Sequence, residues 1–211
     1  MSKEEVFSKH VSQYEAWFKK NRFAYLSELK AIREVIPEKE PGLEIGAGTG
    51  RFAVPLGIGL GVEPSEKMAR VAKQRGMEII KGVAESLPFR DASFGFVLMV
   101  TVICFFDDVE AALSEAGRVL KPGGSLIIGF IDRESPLGKV YQSRKKENPF
   151  YRVAQFFSAE EVISFLEKFN FGNFSFLQTI FRPLEEIKEP EPVKEGYGEG
   201  SFVIVRASKL G

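Results

Sequence analysis

Apolar and polar residues recur along this chain with two different periods, and the change from one to the other marks its layout. Between residues 4 and 36, Val6, His10, Val11, Tyr14, Trp17 and Phe18, then Phe23, Leu26, Leu29, Ile32, Val35 and Ile36, repeat at helical spacing. They predict two helical stretches, closed by Pro37. Short apolar runs follow. Residues 43–45, 57–62, 77–82, 93–101 and 125–129 read as strands, the fourth apolar almost throughout, as befits a central parallel strand covered on both faces. Helical patterns fall between them: a short one at 51–56, one from Glu66 to about residue 75 opened by Pro64-Ser65, and one that Asp107-Asp108 begin and Val119 ends. Another follows the capping box Ser158-Ala159-Glu160-Glu161. Strands alternating with helices predict an α/β fold with a parallel sheet. Residues 173–181 and 201–207 read as two last strands, joined by a long exposed connection at 183–200 rich in Pro, Glu and Gly.

Length and composition narrow this picture without changing it. A chain of 211 residues, 44% of them hydrophobic, is enough for one sizeable core. Acidic and basic residues number 29 each, so no overall field draws the protein to nucleic acid or to an anionic membrane. A nucleic-acid partner is therefore not expected. No apolar run reaches the length of a membrane span, and Met1 to Glu5 lack the apolar core of a signal peptide, so a soluble, cytoplasmic protein is expected. The single cysteine, Cys104, sits in an apolar run and reads as a small core residue; the single histidine, His10, reads as surface or packing.

The chemistry concentrates at Leu43-Glu44-Ile45-Gly46-Ala47-Gly48-Thr49-Gly50. A buried strand here breaks into a glycine turn, where a ligand can approach the backbone closely. A dinucleotide fingerprint needs G-x-G-x-x-G, and Arg51 stands where its third glycine belongs, which argues against a nicotinamide dehydrogenase. A second acid, Glu63, ends the next apolar run, where doubly wound sheets place a ribose-binding carboxylate.

The segment from Glu44 to Gly50 resembles the first motif of the class I S-adenosylmethionine-dependent methyltransferases, small-molecule type. Three further stretches carry the resemblance: Glu63, the run Val83-Ala84-Glu85-Ser86-Leu87-Pro88-Phe89, and the turn and strand Arg118-Val119-Leu120-Lys121-Pro122-Gly123-Gly124 onwards. Together they span about residues 40 to 207. The resemblance implies a Rossmann-like fold with a seven-stranded, mostly parallel sheet ending in a C-terminal antiparallel hairpin strand, with helices on both faces. It implies S-adenosyl-L-methionine as cofactor, with Glu44, Gly46, Ala47, Gly48 and Gly50 at its methionine end and Glu63 on the ribose. Pro64 and Met68 would face the adenine, with polar contacts from Ala84 and Glu85, and Val100-Thr101 would border the methyl group. Tyr14 would belong to an N-terminal helical lid, residues 1–37, over a core at 38–211; packing is the other reading of the stripe Tyr14, Trp17, Phe18. A substrate cover is expected at about 131–157, with Tyr141, Phe150, Tyr151, Phe156 and Phe157 as candidate pocket wall.

The chain departs from the family pattern at Val83, where relatives carry an acid, at Gly95, where they carry Asp, and at Cys104-Phe105, where histidines are common. No general base and no metal ligand is therefore assigned. The expected function is in-line methyl transfer to a small-molecule acceptor, an amine or thiol ahead of an alcohol. A non-catalytic S-adenosylmethionine-binding module is the alternative.

Overall fold

The computed structural model describes residues 2–37 and 40–211. Its strands are β1 (Gly42–Ile45), β2 (Leu60–Val62), β3 (Glu78–Ile80), β4 (Phe94–Val100), β5 (Leu120–Ile131), β6 (Phe171–Thr179), β7 (Lys194–Glu195) and β8 (Phe202–Lys209). They form one sheet in the order β3-β2-β1-β4-β5-β8-β6-β7. Pairs from β3 through β5 are parallel, and β8 runs antiparallel between β5 and β6. All seven residues of β4 are buried, so it is the central strand that its unbroken apolar run predicts.

The period of two sorts side chains to the two faces of the sheet. Leu43, Ile45, Val97 and Met99 join the core formed with α5 (Val109–Val119) and α8 (Ala159–Lys168). Phe96, Leu98 and Val100 join the opposite core, shared with α3 (Arg22–Arg33) and α4 (Glu66–Gln74). Helices thus cover both faces. The chain order reverses between β1 and β4, and the crevice beyond the carboxyl ends of these strands is where such sheets bind ligands.

Four expectations need correction. The sheet has eight strands among the described residues, not seven, because Lys194 and Glu195 pair with Gln178 and Leu177 on the open edge of β6. Two exposed charged residues carry no apolar alternation, so no pattern announces this strand. Nor is the connection at 183–200 simply exposed: Ile187 is buried, and the buried Glu191 accepts from the Phe181 N–H (2.6 Å) and Arg182 Nε (2.7 Å). Gln178 Oε1 accepts from the Glu199 and Gly200 N–H groups, fixing its far end.

The N-terminal stretch holds three helices in place of two, α1 (Lys3–Lys9), α2 (Val11–Lys20) and α3, because His10 and Asn21 leave helical geometry and restart the chain. Ala31 and Ile32 of α3 are fully buried in the main core, whereas α1 and α2 pass across the crevice. The expected boundary at 37/38 runs into residues 38 and 39, outside the described residues. Finally, residues 51–56 make only a three-residue 3₁₀ turn, Val54–Leu56, because Pro55 has no N–H to extend a helix and the Ile58 N–H folds back onto the Ala53 carbonyl (2.9 Å).

Candidate functional site

A cavity of about 410 Å³ opens at the carboxyl ends of β1 and β4. Its floor begins with the glycine turn, whose three glycines serve different ends. A Cβ on Gly46 would strike Val102 at 2.2 Å, and one on Gly50 would press on Val54 and Ala72, away from the cavity. Gly48, at φ +56°, is the position that faces inward: a Cβ there would lie 3.1 Å from the Tyr14 hydroxyl. Glu63 stands beside it, 6% exposed, accepting from the Gly48 N–H through Oε2 (2.8 Å) and from the Ser65 N–H through Oε1 (2.8 Å). Burial pushes its carboxyl up to about 7, against the pull of those two N–H groups. Pro64 and the fully buried Met68 continue the wall into α4, which Ser65 caps.

Of the residues assigned from sequence, Gly46, Gly48, Glu63, Pro64, Met68, Ala84, Glu85, Val100, Thr101 and Tyr14 line this one cavity. Glu44, Ala47 and Gly50 do not. The Glu44 carboxyl lies beneath the turn and accepts from the Ala53 N–H (3.2 Å), burial holding it well above the usual carboxylate range. Ala47 packs toward Gly61 and Gly50 toward Ala72. These three support the turn from behind, packed against β2, α4 and the Ala53 backbone.

The roof is aromatic. Phe7 of α1 and Tyr14 of α2 meet Phe150 of α7 (Pro149–Val153) and each other, and Tyr14 also meets Phe18 of α2, with Phe7 to Phe150 at 5.0 Å and Tyr14 to Phe18 at 5.1 Å between ring centroids. Farther along, Tyr141 of α6 (Pro136–Ser143) stacks on Tyr151 at 4.3 Å. A latch joins roof to floor: Glu15 of α2 takes hydrogen bonds from Thr49, Arg51 and Arg75, with Arg75 Nη2 at 2.6 Å. Those partners hold the Glu15 carboxyl down at about 2, overcoming its burial.

This geometry coincides with what the comparisons with known proteins find. Residues 43–128 match the family model described as a methyltransferase domain. A solved S-adenosylmethionine-dependent methyltransferase from Thermotoga maritima, described as a possible histamine N-methyltransferase, is 55% identical, covers 97% of this chain and 99% of its own, and superposes with a TM-score of 0.95. The chain belongs to the class I S-adenosylmethionine-dependent methyltransferases. An uncharacterised protein of Methanocaldococcus jannaschii is 47% identical over 97% of this chain and 99% of its own length. A probable tRNA methyltransferase 9B of Mus musculus is 31% identical over 59% of this chain and 30% of its own length.

The cofactor of this methyltransferase is S-adenosyl-L-methionine, and the floor is chemically suited to it. Gly48 brings bare backbone to the cavity beneath the Tyr14 hydroxyl, and Glu63 presents a buried carboxylate at the tip of β2. The enzyme reading, not that of a bare binding module, is the one the family supports. No described helix is long and apolar enough to cross a membrane.

The methyltransferase's departures from the family pattern also take their places. Val83 is exposed, the Ala84 side chain is buried, and Glu85 Oε1 already accepts from the Asp107 (2.8 Å) and Asp108 (3.3 Å) N–H groups. Cys104 is not a core residue: it is half-buried on the cavity wall, donating weakly to the Thr101 carbonyl, with its thiol pushed up to about 12 by burial. Thr101 itself holds a left-handed φ of +51°, which turns the chain after β4 so that residues 102–106 line the cavity. His10 caps α2 and lies edge-on to Phe150, 6.0 Å away, in a packing role. Among the cavity residues that sequence reasoning passed over is Glu28 of α3, which is only 3% exposed. The signal was present: Glu28 shares a helical face with Ala24 and Ile32, so an acid stood within an apolar stripe.

Proposed function

We propose that this methyltransferase acts on a small-molecule acceptor through a nitrogen or sulfur atom, in line with the methyl–sulfur bond of its cofactor. The size and closure of the cavity carry this reading. Some 410 Å³, within the ~300–1,000 Å³ usual for ligand pockets, suits the cofactor's reactive end and a small partner. The aromatic roof of α1, α2 and α7 leaves little room for a folded RNA, and the chain's zero net charge adds no attraction for one.

Bound S-adenosylmethionine supplies a methyl group already activated on a sulfonium. The chain's own residues then have three tasks. Gly48 and Glu63 would hold the cofactor, with Met68 and Pro64 on the side given to its adenine and Val100 and Thr101 completing its site. The helices α1 and α2, acting as a lid latched by Glu15, exclude water. The walls from α6 and α7 hold the acceptor, and such positioning is worth ~7–11 kcal/mol. Tyr14 and Cys104 keep their protons at neutral pH, because burial raises both, so neither serves as a base. Amines and thiols, which need little help with deprotonation, therefore rank ahead of alcohols. Formation of S-adenosylhomocysteine with panels of small amines, thiols and alcohols, and with bulk tRNA, tests this. Turnover on tRNA alone would overturn it.

A further inference from the structure

Five acidic side chains are buried among the described residues: Glu28, Glu44, Glu63, Asp132 and Glu191. Four are satisfied by the chain itself. Glu44 accepts from Ala53, Glu63 from Gly48 and Ser65, Asp132 from the Glu134 N–H (2.9 Å), and Glu191 from Phe181 and Arg182. Glu28 is the exception. Among the described residues no hydrogen bond or ion pair engages its carboxyl group, and desolvation alone pushes it up to about 8. Among the described residues no polar side-chain atom is sealed off without a partner, so the carboxyl oxygens must reach the cavity that Glu28 lines.

Its surroundings explain what such a group could take. The groups that sense its charge are Tyr25, on its own helix, and Tyr141, on α6; neither is a cation. Tyr141 stacks on Tyr151, with Phe156 6.3 Å from Tyr141, and Trp17 completes this end of the cavity. A carboxylate without a partner costs folding free energy in such a place. Aromatic faces around it favour a cation. A neutral thiol or alcohol would leave Glu28 protonated, as burial holds it; a protonated nitrogen would draw it into its carboxylate form, pair with that charge and rest against the rings.

We infer that Glu28 is the anchor for a protonated nitrogen of the methyl acceptor, so that the acceptor is a small cationic amine. This rests on the small-molecule reading above and narrows it. A protonated nitrogen has no lone pair, so the anchored atom is not the one methylated. The acceptor carries a second, neutral nucleophilic nitrogen or sulfur, which the anchor turns toward the cofactor. Glu28 binds substrate and moves no proton in the transfer itself.

The test uses the full chain saturated with S-adenosylhomocysteine and two probes of one skeleton, 2-phenylethylamine and 2-phenylethanol, titrated by calorimetry. The wild type should bind the amine at least ~10-fold more tightly than the alcohol. Glu28→Gln should erase that preference while leaving S-adenosylhomocysteine affinity unchanged, which also shows that the variant is folded; Glu28→Asp should restore part of it. At about pH 6.5, amine binding should release about one proton from the wild type, read from two buffers of different ionisation enthalpy, and none from Glu28→Gln. Equal affinity for amine and alcohol in the wild type overturns the anchor, as does a preference that survives Glu28→Gln. The two readings fail separately: turnover on thiols but on no cationic amine sinks the anchor and leaves small-molecule transfer standing, whereas turnover on tRNA alone sinks that reading too.

Discussion

The floor and the roof of the cavity are built by different means. Along the floor, Gly46, Gly48, Glu63 and Met68 belong to the turns after β1 and β2 and to α4, and backbone hydrogen bonds hold them at the edge of the sheet. The roof comes from α1 and α2, before β1, and from α6 and α7, between β5 and β6, and it meets the floor through aromatic rings and the Glu15 latch. The two buried carboxyl groups that line the cavity show the same contrast. Glu63 is held by two N–H groups and Glu28 by none among the described residues. A cofactor shared by a whole family can be met by preorganised backbone, whereas an acceptor particular to one enzyme is met by side chains that wait for it.

Substitutions can break or sharpen that contrast. The largest effect is expected from Gly48→Val, which puts a branched side chain at a left-handed position facing Tyr14. Cofactor affinity should fall by more than ~100-fold, about 2.7 kcal/mol, with the circular dichroism of the helices unchanged. Measurable binding at wild-type strength would mean that the turn does not touch the cofactor.

Glu63→Ala comes next. Loss of charge-assisted hydrogen bonds should weaken cofactor binding by about 1.5–3 kcal/mol. The same carboxyl predicts a pH dependence. Its folded-state value is raised to about 7, so it takes up a proton as pH falls through 7, and affinity for the cofactor should drop by up to ~10-fold per unit below that point. Titrations between about pH 5.5 and 8.5 check this, and Glu63→Gln should abolish the dependence.

Glu15→Ala tests the roof. Removing the latch from Arg51, Arg75 and Thr49 should speed cofactor release by about 2–10-fold in stopped flow, the reach of a partly exposed ion pair. An unchanged off-rate would show that α2 stays seated by its aromatic contacts alone. A change of similar size but opposite sense should come from Val83→Asp, which places a carboxylate at an exposed position on the cavity rim. Affinity for the cofactor should rise by about 2–10-fold, one hydrogen bond's worth.

Much of the floor could be read in the sequence, because each part of it is local. The turn Gly46 to Gly50, the acid Glu63 at a strand tip, the Ser65 cap and the Pro122-Gly123-Gly124 turn are short segments whose chemistry depends on neighbours in the chain. Less legible was the direction that a loop decides: Glu44, Ala47 and Gly50 belong to the motif but face away from the cavity. Glu28 lay outside every motif. Its helical periodicity was visible, yet what it faces was set by Tyr141, more than a hundred residues later.

By itself, then, the sequence determined the α/β class, the parallel core around β4, the cofactor turn and the family, since hydrophobic period and turn chemistry act over a few residues. Tertiary structure alone decided how α1, α2, α6 and α7 meet over one cavity while α3 packs into the core beside it, that the 183–200 connection folds back to add an eighth strand, and that Glu28 goes unsatisfied. Those outcomes depend on contacts between segments far apart in the chain, and no local pattern encodes the partner that a side chain will meet, or fail to meet, once the sheet has formed.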